Sequence, residues 1–164
     1  MGGEADVLSI HVRLAEDGDL AGIKAVLDAH RRELGFVPAA AVRTSIGRGW
    51  LCVAEQDGAI VGVVDWWARR DSVVVLYSIA VLPPARGHGA GRALLWALIG
   101  WAGERGAHMI RLKCPVDLAA NDFYQRHGFT LAGSEEGKRR ALNLWTLALS
   151  AAGVQRNVPD SVEL

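Results

Sequence analysis

Residues 73–101 read VVVLYSIAVLPPARGHGAGRALLWALIGW. The β-branched, apolar run at 73–81 predicts a strand, and Pro83-Pro84 ends it. Arg86-Gly87-His88-Gly89-Ala90-Gly91 then crowds three glycines into the turn that leads into an apolar helix. Glycine permits positive φ and lets a ligand come close to the main chain. The first turn of a helix carries unpaired N–H groups at the positive end of its dipole. A strand, a glycine turn and a helix start in this order predict a pocket for phosphate oxygens.

Two common phosphate loops do not fit. A Walker loop needs Lys and then Ser or Thr after its last glycine, and Arg92-Ala93 stands there. A dinucleotide fold needs G-x-G-x-x-G early in a βαβ unit, whereas this G-x-G-x-G comes after several strands. The remaining pattern is Arg/Gln-x-x-Gly-x-Gly/Ala, matched by Arg86, Gly89 and Gly91. Further along, Ala120-Asn121-Asp122-Phe123-Tyr124-Gln125-Arg126-His127-Gly128-Phe129 reads as a short helix carrying Tyr124. Gly128 suits the left-handed position after its end, and Phe129 can pack as the next strand begins. The two motifs, in this order, resemble the GNAT superfamily of N-acetyltransferases.

Composition agrees with one enzyme domain at 1–150. The 164 residues are 51% hydrophobic, enough for one core. Lys plus Arg total 18 and Asp plus Glu total 18, a balance that argues against a nucleic-acid partner. Cys52 and Cys114 fall in apparent strands and read as buried free thiols. The five histidines, His11, His30, His88, His108 and His127, lack metal-ligand spacing, so no metal is expected. The opening MGGEADVLSI has no basic region before an apolar run, unlike a signal peptide. Asp6 stands where a myristoylation site needs Ser or Thr. The apolar helix at 93–102 is too short to span a bilayer. A cytoplasmic protein without membrane contact is the expectation.

Read coarsely, residues 8–14 predict a strand. Asp17 and Asp19 offer N-caps to one helix through Leu34, with Leu20, Ile23, Val26, Leu27 and Leu34 on its apolar face. Residues 39–46 predict a second helix. Strands at 50–56 and 60–67 flank the hairpin signal Asp57-Gly58. After the strand at 73–81, the glycine loop and its helix, strands come at 108–114, 129–132 and 141–149. A charged loop joins the last two, and a loose tail covers 151–164. The order β-α-α-β-β-β-α-β-α-β-β is an α/β pattern.

The resemblance covers about residues 8–149 and implies the GNAT fold: a mixed central sheet of about seven strands with flanking helices, splayed between the fourth and fifth strands. It implies acetyl-CoA as cosubstrate and a primary amine as acceptor, joined by direct attack in a ternary complex. Backbone groups of Ile79 and Val81 are then expected to hold the pantetheine arm. An amide near Ile79 or Ala80 would polarise the thioester carbonyl. The amides of Arg86, Gly87, His88, Gly89, Ala90 and Gly91, helped by Arg92, would hold the pyrophosphate. Tyr124 is the expected proton donor to the leaving thiolate, since its ordinary pKa of about 10 exceeds a thiol's of about 8.5. A homodimer stays open.

Two departures from the family pattern stand out. Asp117 sits seven residues before Tyr124, where many members carry Asn, and Asn121 is the candidate to supply that amide. Ser78 occupies the place of a frequent strand Glu that serves as general base. Candidate bases elsewhere are His30, Glu33 and Asp65, each of which reads more simply as solvated or structural; a chain of waters is a further option. Phe36, Trp66, Trp67 and Tyr77 are candidates for an aromatic acceptor pocket, although alternate members of Trp66-Trp67 can equally pack the core. Lys138-Arg139-Arg140, and Arg111 with Lys113, are basic clusters with no fixed assignment. The acceptor reads as a small or amino-acid-like amine. Two alternatives remain, acylation of a macromolecule (a protein terminus, a lysine or an aminoacyl-tRNA) and a CoA-binding module without turnover.

Overall fold

The computed structural model describes residues 9–150. The expected strand start at Leu8 and the tail at 151–164 lie outside them. The elements run β1 (His11–Leu14), α1 (Leu20–Ala29), α2 (Arg31–Leu34), α3 (Ala39–Arg48), β2 (Leu51–Gln56), β3 (Ala59–Ala68), β4 (Val73–Val81), α4 (Ala90–Glu104), β5 (Met109–Pro115), α5 (Ala120–Arg126), β6 (Thr130–Glu136) and β7 (Ala141–Ala148). The seven strands form one mixed sheet in the order β1-β2-β3-β4-β5-β7-β6. Pairing is antiparallel for β1 with β2, β2 with β3, β5 with β7 and β6 with β7. β4 and β5 run parallel, and their ladder joins Val73–Val75 to Met109–Arg111 and goes no further. Among the described residues no helix is long and apolar enough to cross a membrane.

Three local expectations are corrected. The helix expected to reach Leu34 divides at His30, whose backbone (φ −110, ψ 22) is not helical. Its ring folds back onto the preceding turn. Nδ1 lies 2.8 Å from the Val26 carbonyl oxygen, the acceptor an α-helix reserves for the His30 N–H. That N–H turns to Leu27 O instead. Asp19 does not cap α1 with its side chain. Its carboxylate accepts from Arg13 at 2.7 and 2.9 Å and from the Glu16 N–H at 2.8 Å. The Arg13 guanidinium holds that carboxyl below the usual range. Residues 133–136, expected in the charged loop, belong to β6. The loop itself is only the tight turn closed by Gly137 N–H to Arg140 O.

The described residues pack as two compact units, one running to Asp65 and including Ser78–Ala97, the other made of Trp66–Tyr77 and the residues from Leu98 onward. In the first, Ile23, Val26 and Leu27 of α1 and Val42 and Ile46 of α3 bury against Leu51 and Val53 of β2, Val63 of β3 and Ala80 of β4. The hairpin turn is made by Asp57 and Gly58, both at positive φ (52 and 77), the pair a type I′ turn demands. In the second unit β5 buries Ile110, Leu112 and Cys114 at every other position, the period of a pleated strand. Trp66 rests against Trp101 there, ring centroids 5.1 Å apart.

Gly62 of β3 lets three elements of the first unit close together. A Cβ built on it would stand 3.0 Å from Leu94 Cδ1 of α4, 3.1 Å from the Ala80 carbonyl oxygen and 3.4 Å from Val81 Cγ2. Gly62→Val is therefore expected to destabilise the fold by about 1–3 kcal/mol through overpacking. A chain of this size loses about 2–4 °C of melting temperature per kcal/mol, which circular dichroism will read. An unchanged melting curve would mean α4 can move aside freely.

Candidate active site

β4 delivers the chain through Leu82 and the 3-10 turn Pro83–Ala85 to Arg86. The Leu82 N–H donates to Val61 O at 2.8 Å, so β3 steers the exit from the strand. Gly87 and Gly89 both take positive φ, 82 and 85. No heavy atom lies within 4 Å of a Cβ built on either one. This is backbone with open space around it, in a conformation that side chains disfavour. α4 begins at once, its first bond running from the Ala93 N–H to Gly89 O. The amides of Ala90, Gly91 and Arg92 precede that bond and have no helical acceptor. Ala90 is buried. His88 and Arg92 are exposed.

Arg86 is fixed from two sides. Its Nε donates to Val81 O at 3.2 Å, and its Nη2 lies 2.9 Å from His30 Nε2. Guanidinium only donates, so Nε2 of His30 must be the acceptor and the proton must sit on Nδ1, which donates to Val26 O. His30 is buried. Both ring nitrogens are committed, which removes His30 as a base and makes it a support for Arg86. Nothing in the sequence joins these two residues; the contact spans 56 positions. Glu33 is exposed on α2.

Asp65 and Ser78 meet across β3 and β4. Both the Ser78 side chain and its backbone donate to the Asp65 carboxyl. Oδ1 of Asp65 is buried and has no hydrogen-bond partner among the described residues. Burial pushes this carboxyl up to about 6, with the Ser78 hydrogen bonds pulling the other way.

In the second unit α5 carries Tyr124, whose ring is buried edge-on to Phe123 and to Phe129, each with centroids 5.6 Å away. Gly128 at φ 91 turns the chain, and the Phe129 N–H closes on Tyr124 O. Burial, and secondarily Cys114, raises the phenol well above its ordinary value. Burial also pushes the free thiols Cys52 and Cys114 up to about 11.

Asn121 has another occupation than the cofactor. Its Nδ2 donates to Pro115 O at 2.8 Å and Leu118 O at 2.7 Å, and its Oδ1 accepts from Trp145 Nε1 at 2.9 Å and Asn143 Nδ2 at 3.1 Å. Indole N–H can only donate, which fixes the amide's orientation. No N–H is left over for a cofactor arm. Asp117 is exposed and pairs with Arg140. Of the four aromatics, Trp66 is core at 1% exposure, whereas Trp67, Phe36 and Tyr77 stand at 42%, 62% and 64%. Lys24 Nζ and the Arg31 guanidinium each sit 4.9 Å from the Phe36 ring centre. Lys113 pairs with Glu135 on the surface.

Asn121→Ala leaves the buried Trp145 N–H without its acceptor, while Pro115 O and Leu118 O keep main-chain N–H donors. One orphaned buried donor costs about 1–3 kcal/mol, so thermal unfolding should come a few degrees earlier. An unshifted melting temperature would show that water replaces the amide at no cost.

The chain matches the Acetyltransferase (GNAT) family over residues 23–129. It is 35% identical over 97 residues to a 5-NmdU N-acetyltransferase of Pseudomonas phage PaMx11, a match covering 55% of this chain and 64% of that protein. Among solved structures, Ard1 from Thermoplasma volcanium superposes with a TM-score of 0.78 at 17% identity, over 86% of this chain and 98% of that one. N-acetylglutamate synthase from Neisseria gonorrhoeae, complexed with coenzyme A and N-acetyl-glutamate, gives 0.75 at 19% identity over 87% of this chain and 35% of that one. These two likenesses establish the fold, and the family match runs from α1 through the glycine loop to the residue before β6: the chain belongs to the acetyltransferase (GNAT) family.

Proposed function

We propose that the chain is an acetyl-CoA-dependent N-acetyltransferase acting on a primary amine of a small or amino-acid-like acceptor. The observation that carries this reading is the positive-φ backbone at Gly87 and Gly89, with open space around it and leading directly into the first turn of α4. A bulky anion such as the pyrophosphate of CoA suits that stretch, because N–H groups and the helix dipole both favour negative charge. Arg86, Gly87, His88, Gly89, Ala90, Gly91 and Arg92 would hold it, and the backbone of Ile79, Ala80 and Val81 would take the pantetheine arm. Val81 gives one lone pair of its carbonyl to Arg86 and keeps the other. Asn121 drops out of the set.

Acetyl-CoA would supply the acyl group as a thioester. Tyr124 is the proposed proton donor to the departing thiolate. Its buried ring and raised pKa keep it protonated at neutral pH, as a general acid requires. The phage relative favours a second acceptor, the 5-NmdU of its name. An amine panel that includes 5-NmdU, amino acids and peptide termini separates the acceptor classes, and CoA binding without any turnover would mark a binding module.

Acetyl-CoA at about 100 times its Kd should stabilise the fold by about 2.7 kcal/mol and raise the melting temperature by several degrees. His30→Phe keeps a ring but removes the acceptor that steadies Arg86, and is expected to weaken acetyl-CoA binding about tenfold, or about 1.4 kcal/mol. Calorimetry checks both. No heat with the native chain would remove the acetyl-CoA assignment, and native affinity in the variant would remove the support role of His30.

Tyr124→Phe keeps the ring and deletes one hydroxyl. Turnover on the active amine should fall about 10²-fold with acetyl-CoA affinity held, the pattern of an interaction made only in the transition state. Native turnover in this variant would pass the acid role to solvent.

A further inference from the structure

Granted the acetyltransferase reading above, on which this step rests, we infer that Asp65 takes the proton from the incoming amine and that Ser78 positions its carboxyl for the task. The sheet register places the pair. Val53 faces Val63, and Leu51 faces Asp65. Side chains alternate between faces along a strand, so Val63 and Asp65 share one face of β3, as Ser78 and Ala80 share one face of β4. Val53, Val63 and Ala80 belong to the apolar cluster that α1 and α3 cover. The next row across the same face is Leu51, Asp65 and Ser78, where the apolar cluster gives way to a carboxyl and a hydroxyl. Ser78 also immediately precedes Ile79, where the acyl carrier's arm is proposed to lie.

The surroundings of Asp65 are those of a group awaiting a cation. Oδ1 is buried without a donor, a state that costs free energy and is uncommon in folded proteins. The influences on the carboxyl are burial, then the Ser78 side chain, the Ser78 backbone and its own backbone. None of them brings a positive charge. A protonated amine would supply both the missing N–H and the missing charge. With His30 already committed within the fold and Glu33 exposed, Asp65 is the candidate base with a free, sheltered oxygen.

The proton balance is simple. R–NH3+ passes one proton to the Asp65 carboxylate, giving R–NH2 and a neutral acid. The freed nitrogen lone pair forms the new C–N bond to the acetyl carbon while the C–S bond breaks and its electron pair leaves on sulfur. The nitrogen then loses a second proton, and the thiolate gains one to leave as the thiol, so the amide, the thiol and one proton result. Asp65 returns that proton to solvent. Because the carboxyl titrates near 6, it is charged and able to accept at neutral pH, and it loses that ability as pH falls below 6.

A raised carboxyl pKa also lowers stability at neutral pH. The folded state prefers the protonated form, so stability falls as pH rises from the unfolded value of about 3.9 towards 6. Asp65→Asn removes that cost while keeping the shape. A base and a structural residue therefore differ in sign in the melting curve.

The test uses the full chain, acetyl-CoA and an amine that the native protein acetylates, with kcat/KM measured from pH 5 to pH 9 on the scale of these side-chain titrations. Asp65→Asn is expected to lower kcat/KM about 10²-fold at neutral pH and to erase the acidic limb near 6. Acetyl-CoA affinity should be unchanged and the melting temperature at pH 7 equal or higher. Ser78→Ala should keep much of the turnover but move the acidic limb upward, because the lost hydroxyl had helped to lower that pKa. Native rates and an intact limb in Asp65→Asn would overturn this inference and leave the acetyltransferase reading standing, and so would a melting temperature several degrees lower. A native chain that acetylates no amine would overturn the acetyltransferase reading itself, and this step with it.

Discussion

β4 can satisfy its backbone against β5 for only three residues, Val73–Val75, and the chain beyond Val75 is arranged around that constraint. Buried N–H and C=O groups rarely stay unpaired. Past Val75 the strand must find other partners or offer its groups to a ligand. Val81 O finds the Arg86 guanidinium. Arg86 then needs its own support, which His30 gives from the break between α1 and α2. A backbone shortage in the sheet is thus answered by a side chain of the glycine loop.

The same chain of bonds runs through the helix break. His30 can accept from Arg86 only if its remaining proton sits on Nδ1, and that proton needs an acceptor. Val26 O supplies one, and the His30 N–H goes to Leu27 O. α1 ends at Ala29 and α2 restarts at Arg31. The residue between the two helices is thus the one that steadies a cation near the proposed phosphate cradle.

Much of the fold is legible in the sequence because its signals are local. Asp57-Gly58 can make only a tight hairpin, the glycines after Pro83-Pro84 mark a strand-to-helix turn, and Gly128 marks a helix end. The helix break is not legible, since Leu34 continues the apolar spacing of α1 and the ring partner of His30 lies 56 residues away. β6 reads too short because Ser134, Glu135 and Glu136 resemble a solvated loop. They are exposed but paired to β7, where backbone bonds decide the structure and the side chains do not. Asn121 has the right residue type for cofactor contact, and only the positions of Trp145 and Asn143 reveal that its amide is spent on the fold. Asp65 and Ser78 carry no joint signal, because sheet register alone makes them neighbours.

Burial acts on Asp65 and on Tyr124 in the same sense, against the charged form, yet would serve opposite chemistry in the roles proposed for them. A carboxyl starts far below neutral pH, so a rise to about 6 leaves it ionised at pH 7 while making it a stronger base. A phenol starts above neutral pH, so any rise secures its proton. One physical cause therefore yields a ready acceptor and a ready donor at the same pH, the separation of roles that acid–base catalysis requires. Neither group needs a nearby charge to reach that state. The acceptor's own ammonium would then be the charge that Asp65 lacks, which makes recognition of the amine and its activation two consequences of one empty hydrogen-bonding position.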